Sequence, residues 1–279
     1  MTERALPDAL AGVLTRLRAQ RPLIHHLTNS VVMNDTANIT LHIGALPVMA
    51  QAPEEVAEIA AGAQAIVVNL GTLTAERLES IFIAGSMANR RGIPIVFDPV
   101  GAGASSWRTV SALRVLDELR IAVVRCNRAE AAALVGEIGA IRGVEDVGAE
   151  SAEQRLALAH SLARRFHTTA AITGPRDIVS DGHRLLSVDN GHPLLATITG
   201  SGCMATTLVA CCAVVENDTV VAAATALAAF GLAAERAAQA AQGPGSFKVA
   251  LFDQVYNLSA ADLAVGARVG WIQSEAVSF

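Results

Sequence analysis

The sequence predicts an α/β layered sandwich, a mostly parallel central sheet with helices on both faces. Three observations carry this. Short apolar, β-rich runs alternate with amphipathic or Ala-rich helical runs along almost the whole chain, the order expected of βα units. Runs such as Ala-Ile-Val-Val at 65–68 and Ile-Pro-Ile-Val-Phe at 93–97 have no polar face, so their strands are expected to be covered on both sides. No Pro/Gly/Ser linker and no internal repeat divides the 279 residues, which predicts a single domain over 1–279.

Strands are expected at 23–26, 65–69, 94–98, 121–126 and 170–173, with helices at 35–43, 53–61, 75–91, 107–116 and 151–166. The last helix opens on Ser151 with Gln154 three residues on, a capping-box spacing. The pattern changes after Thr173. Runs at 176–180 and 184–188 flank Asp181-Gly182, a hairpin signal, and helices follow at 203–215, 220–241 and 246–263.

Composition excludes several classes of function. The chain has 21 basic and 26 acidic residues, net −5, with 17% charged, 52% apolar and 4% aromatic residues. Disorder needs low hydrophobicity and high net charge. Nucleic-acid binding needs a clustered basic surface, whereas the Lys and Arg residues here are scattered. The apolar runs at 203–215 and 219–234 fall short of the ~20 residues of a membrane span and read as buried helices. The first residues lack a basic stretch followed by an apolar one, so no signal peptide is expected. The 4 cysteines, Cys126, Cys203, Cys211 and Cys212, form no C-x-x-C pair and predict reduced thiols in a cytoplasm.

In open α/β sheets, ligands bind beyond the carboxyl ends of the strands. Four polar groups fall there. Thr199-Gly200-Ser201-Gly202-Cys203 leads into an apolar helix; two glycines and free helix N–H groups make an anion hole suited to phosphate, or an ordinary Gly-rich turn. Cys203 is placed where the helix dipole favours thiolate, as base or nucleophile, or is small buried filler. Asp98-Pro99-Val100-Gly101-Ala102-Gly103 follows a strand, and Asp98 either holds Mg²⁺ near phosphates or caps the turn. In Arg125-Cys126-Asn127-Arg128-Ala129-Glu130, Arg125 can neutralise phosphate oxygens and Glu130 can reach a metal shell. Asn127 and Glu130 also have capping-box spacing.

The fourth group, His25-His26-Leu27-Thr28-Asn29-Ser30 with Asn34, Asp35 and Asn38, suits an uncharged polar ligand, and Met33 and Met49 offer an adaptable apolar wall. His25 and His26 face opposite ways on a strand and are read as structural. Gly243-Pro244-Gly245-Ser246-Phe247 reads as a break between helices with Ser246 as N-cap. An anion hole, an acid, a base candidate and an Arg at one sheet edge point to phosphoryl transfer. Neither a G-x-x-x-x-G-K-[ST] loop nor a protein-kinase signature is present.

These residues resemble the hydroxyethylthiazole kinase family of thiamine salvage, within the ribokinase-like superfamily. The motifs that carry it run in order: Thr28-Asn29, Val31, Ala37-Asn38, Gly44-Ala45, Pro47, Met49, Asn69-Leu70-Gly71-Thr72-Leu73, Asp98-Pro99-Val100-Gly101, Arg125, Asn127, Glu130, Thr173-Gly174, Asp181-Gly182, Gly200-Ser201-Gly202-Cys203 and Gly243-Pro244-Gly245-Ser246-Phe247. Cys203 is the most specific, since most sugar and vitamin kinases of this superfamily carry Asp there.

The resemblance implies ATP-dependent phosphorylation of the hydroxyl of 4-methyl-5-(2-hydroxyethyl)thiazole by direct in-line transfer. It places Met49 and Gly200 against the thiazole, with Asn29 near its ring and hydroxyl. It assigns Arg125 and Thr173 to ATP, Asp98 and Glu130 to Mg²⁺, and Ser201 and Gly202 to the loop that holds the phosphoryl group. Cys203 would lie beside the substrate hydroxyl, chiefly as a positioning group; Cys203 and Asp98 both stand as candidates to take the proton. A homotrimer with interfacial sites is implied, which would account for an apolar excess on so weakly charged a chain. The chain departs from the family at Cys126, commonly Gly, where a side chain is expected to crowd or re-aim the loop beside Arg125. Ser201 replaces the more common Thr and keeps the hydroxyl. Rival readings are another ribokinase-like small-molecule kinase or ATP-dependent hydro-lyase, against which the absence of Asp at 203 argues, and a catalytically silent thiazole- or thiamine-binding regulator, against which the joint presence of Asp98, Arg125, Glu130 and Cys203 argues.

Overall fold

The computed structural model describes residues 6–137 and 152–273. Nine strands form one sheet: β1 (Leu23–Leu27), β2 (Leu46–Val48), β3 (Ala65–Asn69), β4 (Ile95–Asp98), β5 (Val123–Asn127), β6 (Thr169–Thr173), β7 (Asp177–Ser180), β8 (Leu185–Val188) and β9 (Val269–Ile272), in the order β2-β1-β3-β4-β5-β6-β7-β8-β9. β1 to β6 pair in parallel, and β7, β8 and β9 add on antiparallel. The expected mostly parallel sheet is found, and the hairpin turns at Asp181-Gly182, where Asp181 accepts from the His183 and Arg184 N–H groups.

Helices cover both faces. On one side lie α1 (Leu6–Gln20), α2 (Met33–Ile43), α8 (Ser201–Val215), α9 (Thr219–Ala240), α10 (Pro244–Asn257) and α11 (Ala260–Gly266). On the other lie α3 (Val56–Gly62), α4 (Ala75–Arg91), α5 (Ser106–Glu118), α6 (Arg128–Val135) and α7 (Ala152–Phe166). Strand parity sorts the core between them. Ala65, Val67, Val96, Val123 and Ala171 face the first group, and Ile66, Val68, Phe97, Val124 and Ile172 the second, as alternating side chains of a doubly covered sheet must.

The structure departs from the sequence reading in several places. Helix α1, not among the expected elements, buries Leu6, Leu10, Val13, Leu14 and Leu17 at a 3.6-residue period. Strands β2 and β9 are short edge additions. The helix expected over 246–263 is two, broken at Leu258; Ser259 caps the second with Asp262 in a capping box. Ser246 is not an N-cap: Gly243 holds that position, Pro244 follows, and Ser246 Oγ accepts from the Gly243 N–H at 3.2 Å. The run at 219–234 is part of a 22-residue helix, long enough to cross a bilayer, but nearly all of it is buried against the sheet and neighbouring helices. The capping box at Ser151 lies outside the described residues.

Candidate active site

Parallel strands bring their carboxyl ends to one edge, and parity aims their last side chains at one face. The register pairs Asn69 with Asp98 across β3 and β4. Val67, Val96, Val123 and Ala171 pack toward α8 and α9, so Asn69, Asp98, Arg125 and Thr173, each two residues on, point the same way. Helix α8 enters this edge with its N-terminus, whose first N–H groups have no partner within the helix.

The entry turn requires glycine at 200 and packs Gly202 against Arg125. Gly200 is the N-cap of α8 with φ +88°, and a Cβ on it would stand 2.6 Å from Val32 Cγ1. A Cβ on Gly202 would stand 2.5 Å from Arg125 Nη1. The Arg125 guanidinium thus lies on the turn itself. It donates to Thr173 Oγ1 and sits 3.9 Å from Asp98 Oδ2. Helix N-terminus and guanidinium together form a cationic concavity suited to phosphate. It opens into a cavity of about 550 Å³ lined by Arg125, Thr173, Asp177, Ser201, Gly202 and Phe230.

Beside it lies a buried polar cluster. Asp98 Oδ2 accepts from Asn69 Nδ2 at 3.0 Å and Thr206 Oγ1 at 2.9 Å, while Asp98 Oδ1 is buried with no hydrogen-bond partner. Burial pushes the Asp98 carboxyl up to about 6, against the opposing pull of Arg125. Cys203 Sγ receives the Asn69 amide at 3.2 Å and the Asn29 amide at 3.7 Å. The thiolate expected from the helix dipole is not supported: burial, and then the Asp98 charge, push the Cys203 thiol up to about 12. Desolvation dominates because Cys203 sits in the first turn against the sheet rather than in open solvent.

The capping role is realised at Glu130. Its Oε2 accepts from the Asn127 N–H at 3.0 Å, completing the capping box with Asn127 Oδ1, and its Oε1 accepts from the Gly101 N–H at 3.0 Å. Glu130 thereby ties the turn after Asp98 to α6. A divalent cation fits these residues, since Asp98 Oδ1 is an unpartnered buried acceptor and a carboxylate retains acceptor capacity beyond two hydrogen bonds.

The structure gathers Asn29, Asp98, Arg125, Thr173, Gly202 and Cys203 into one continuous network. Gly200 and Ser201 sit at its rim in the α8 turn. Met49 is half-buried and follows β2, the strand beside β1, whose end leads to Asn29. Cys126 does not crowd Arg125: being one residue on, it faces the opposite side of β5 and is fully buried in the α3–α7 core. His25 and His26 are structural; both are fully buried, with His25 Nε2 2.7 Å from Ala50 O and His26 Nε2 3.1 Å from Thr40 Oγ1.

Two residues of the network carried no expected role. Asn69 was visible as a polar residue closing an apolar parallel strand. Thr206 was visible as the residue three after Cys203, on the same face of the helix. Arg77 holds the loop that follows Asn69, donating to the carbonyls of Asn69, Gly71 and Thr72 at 3.0, 2.5 and 2.9 Å.

Comparison with known proteins gives the family and the fold. The family model "Hydroxyethylthiazole kinase family" matches residues 14–261. A hydroxyethylthiazole kinase of Chloroflexus aggregans is 56% identical over 268 residues, covering 96% of each chain. The solved hydroxyethylthiazole kinase of Pyrococcus horikoshii OT3 superposes with a TM-score of 0.87 at 41% identity, over 95% of this chain and 99% of that one. A ribokinase-like superfamily protein from Enterococcus faecalis V583 shares the fold, with a TM-score of 0.63 at 12% identity over 85% of this chain and 87% of its own. With a family model that spans most of its length and relatives above half identity over nearly the whole chain, the chain belongs to the hydroxyethylthiazole kinase family.

Proposed function

We propose that this protein is a single-domain kinase that transfers the γ-phosphoryl group of ATP to the hydroxyl of 4-methyl-5-(2-hydroxyethyl)thiazole, in thiamine salvage. The observation that carries the reading is the Gly202–Arg125 contact, which sets a guanidinium and a helix N-terminus at the mouth of one cavity.

ATP enters the cavity between Thr173, Ser201 and Gly202, with Arg125 balancing phosphoryl charge. The thiazole alcohol lies on the other side of the α8 turn, against Gly200, Asn29 and Met49. Its hydroxyl attacks in line, and the α8 N–H groups neutralise charge that spreads over the transferring oxygens. Asp98 and Glu130 are the residues that would hold Mg²⁺, which supplies further charge neutralisation when bound. Cys203 is neutral at physiological pH and positions the hydroxyl. Asp98, poised near 6 by burial, is the better proton acceptor of the two.

We also infer a homotrimer and a cytoplasmic location. The exposed apolar residues Leu41 and Tyr256 line one surface pocket beside edge strand β2, where Leu46 is also exposed, and all four thiols are unpaired. Light scattering that finds a stable monomer overturns the first inference.

The test of function is a coupled ADP-release assay with the hydroxyethylthiazole, with and without Mg²⁺. Turnover that needs both confirms the kinase. Tight thiazole binding without turnover establishes instead a silent binding protein on the same pocket.

A further inference from the structure

We propose that Asn69 is the positioning residue of the transfer step: its buried carboxamide holds the Cys203 thiol and the Asp98 carboxylate in fixed register and aims Asn29 at the acceptor. The proposal rests on the kinase reading above.

Asn69 closes β3 and is fully buried. Its hydrogen-bonding capacity is used up. Nδ2 donates to Asp98 Oδ2 at 3.0 Å and to Cys203 Sγ at 3.2 Å. Oδ1 accepts from Asn29 Nδ2 at 2.8 Å and from the Gly71 N–H at 2.9 Å. A primary amide offers two donors and two acceptor lone pairs, and here all are engaged. Turned over, the group would set its oxygen against the Asp98 carboxylate and its N–H groups against two other donors. One orientation is therefore allowed.

The consequence reaches the sulfur. Asn29 Nδ2 also points at Cys203 Sγ, at 3.7 Å, and Asn29 is pinned by its own Oδ1, which accepts from the Val31 N–H at 3.1 Å. Two amide N–H groups thus approach Sγ from the sheet side, and the S–H bond is directed away from them. With its acceptor side occupied, the thiol is left as a donor toward the ligand space. Asp98 is held in the same way, Oδ2 between Asn69 and Thr206 and Oδ1 left free. One amide so links the end of β1, β3, β4 and the first turn of α8, the four elements whose relative placement sets the attack geometry.

Asn69→Asp tests this, because it keeps the shape and both acceptor contacts while replacing the donors to Cys203 and Asp98 by a carboxyl oxygen, and Asn69→Ser is the uncharged control for the carboxyl pair this creates. We expect kcat for the thiazole alcohol to fall by ~10- to 100-fold with KM for ATP changed less than ~3-fold, a split that loss of a positioning contact produces and general loosening does not. In Cys203→Ala protein the same substitution should cost at least ~3-fold less, since residues acting through one contact are non-additive. Unchanged kcat, or equal losses in the two backgrounds, overturns the proposal. If Asn69→Asp does not fold, Asn69→Ser carries the same cycle with the same two outcomes. If the wild type does not phosphorylate the thiazole alcohol, the kinase reading fails, and the Asn69 contact is then read from chemistry at the sulfur. Iodoacetamide alkylation of Cys203, the one cysteine that is not buried, should slow in Asn69→Asp, and an unchanged rate overturns the contact.

Discussion

The Arg125 guanidinium occupies the space that a side chain on Gly202 would need, with Nη1 2.5 Å from the position of a Cβ there. Gly202→Ala must therefore displace the guanidinium end of Arg125 from the α8 turn. We expect ATP affinity and kcat/KM to fall together by on the order of 100-fold, comparable to removing a preorganised donor from a transition-state site. Isothermal titration with a non-hydrolysable ATP analogue measures the first, and steady-state kinetics the second. Near-wild-type values would show that the guanidinium has no part in binding phosphate.

Cys203→Asp should retain or raise turnover. The wild-type thiol, held up to about 12 by burial, is neither base nor nucleophile at neutral pH, so its replacement by a carboxylate removes no required thiolate. Intact-mass spectrometry during turnover should show no phosphoryl group on Cys203. A trapped phosphocysteine would contradict direct transfer.

Asp98→Asn separates stability from activity. Burial disfavours the Asp98 charge, and an amide oxygen can still accept from Asn69 and Thr206. The variant should unfold at the same or a higher temperature while losing ~100-fold or more in kcat, the scale of a lost general base or cation ligand. Thermal unfolding and the coupled assay check the two halves. A large loss of stability would reverse the account of the buried charge.

Acid should destabilise the fold through His26. Thr40 Oγ1 donates to Thr36 O, so His26 Nε2 is the donor in their contact and Nδ1 is left bare inside the core. Burial lowers its pKa from 6.5 to about 3. Between those values the unfolded chain binds a proton that the folded chain does not, so stability falls as pH drops, by up to ~1.4 kcal/mol per unit from this group. Urea melts of wild type and His26→Leu over that range should differ in slope by about one proton. Equal slopes would place the acid sensitivity elsewhere.

Much of the fold was legible because periodicity is local. The apolar runs that became β3, β4, β5 and β6 announced a doubly covered parallel sheet, and Asp181-Gly182 announced the hairpin. Helix α1 was equally legible in its leucine spacing, but β2 and β9 were not, since strands of three or four half-buried residues at the sheet ends owe their form to the neighbour they pair with. The glycine turn, Asp98, Arg125 and Glu130 were named from residue type at strand ends, where any parallel sheet gathers its polar groups.

The family, the sheet and the identity of the chemical groups follow from residue order and short-range pattern. Their states and alliances arise only when the chain packs. Packing pushed the Cys203 thiol up, because burial and the Asp98 charge disfavour the thiolate. It turned Cys126 away from Arg125 through strand parity, and it joined Asn29, Asn69, Asp98 and Thr206, residues far apart in the chain, by hydrogen bonds. Burial and long-range contact are properties of the packed chain, and no local spacing encodes them.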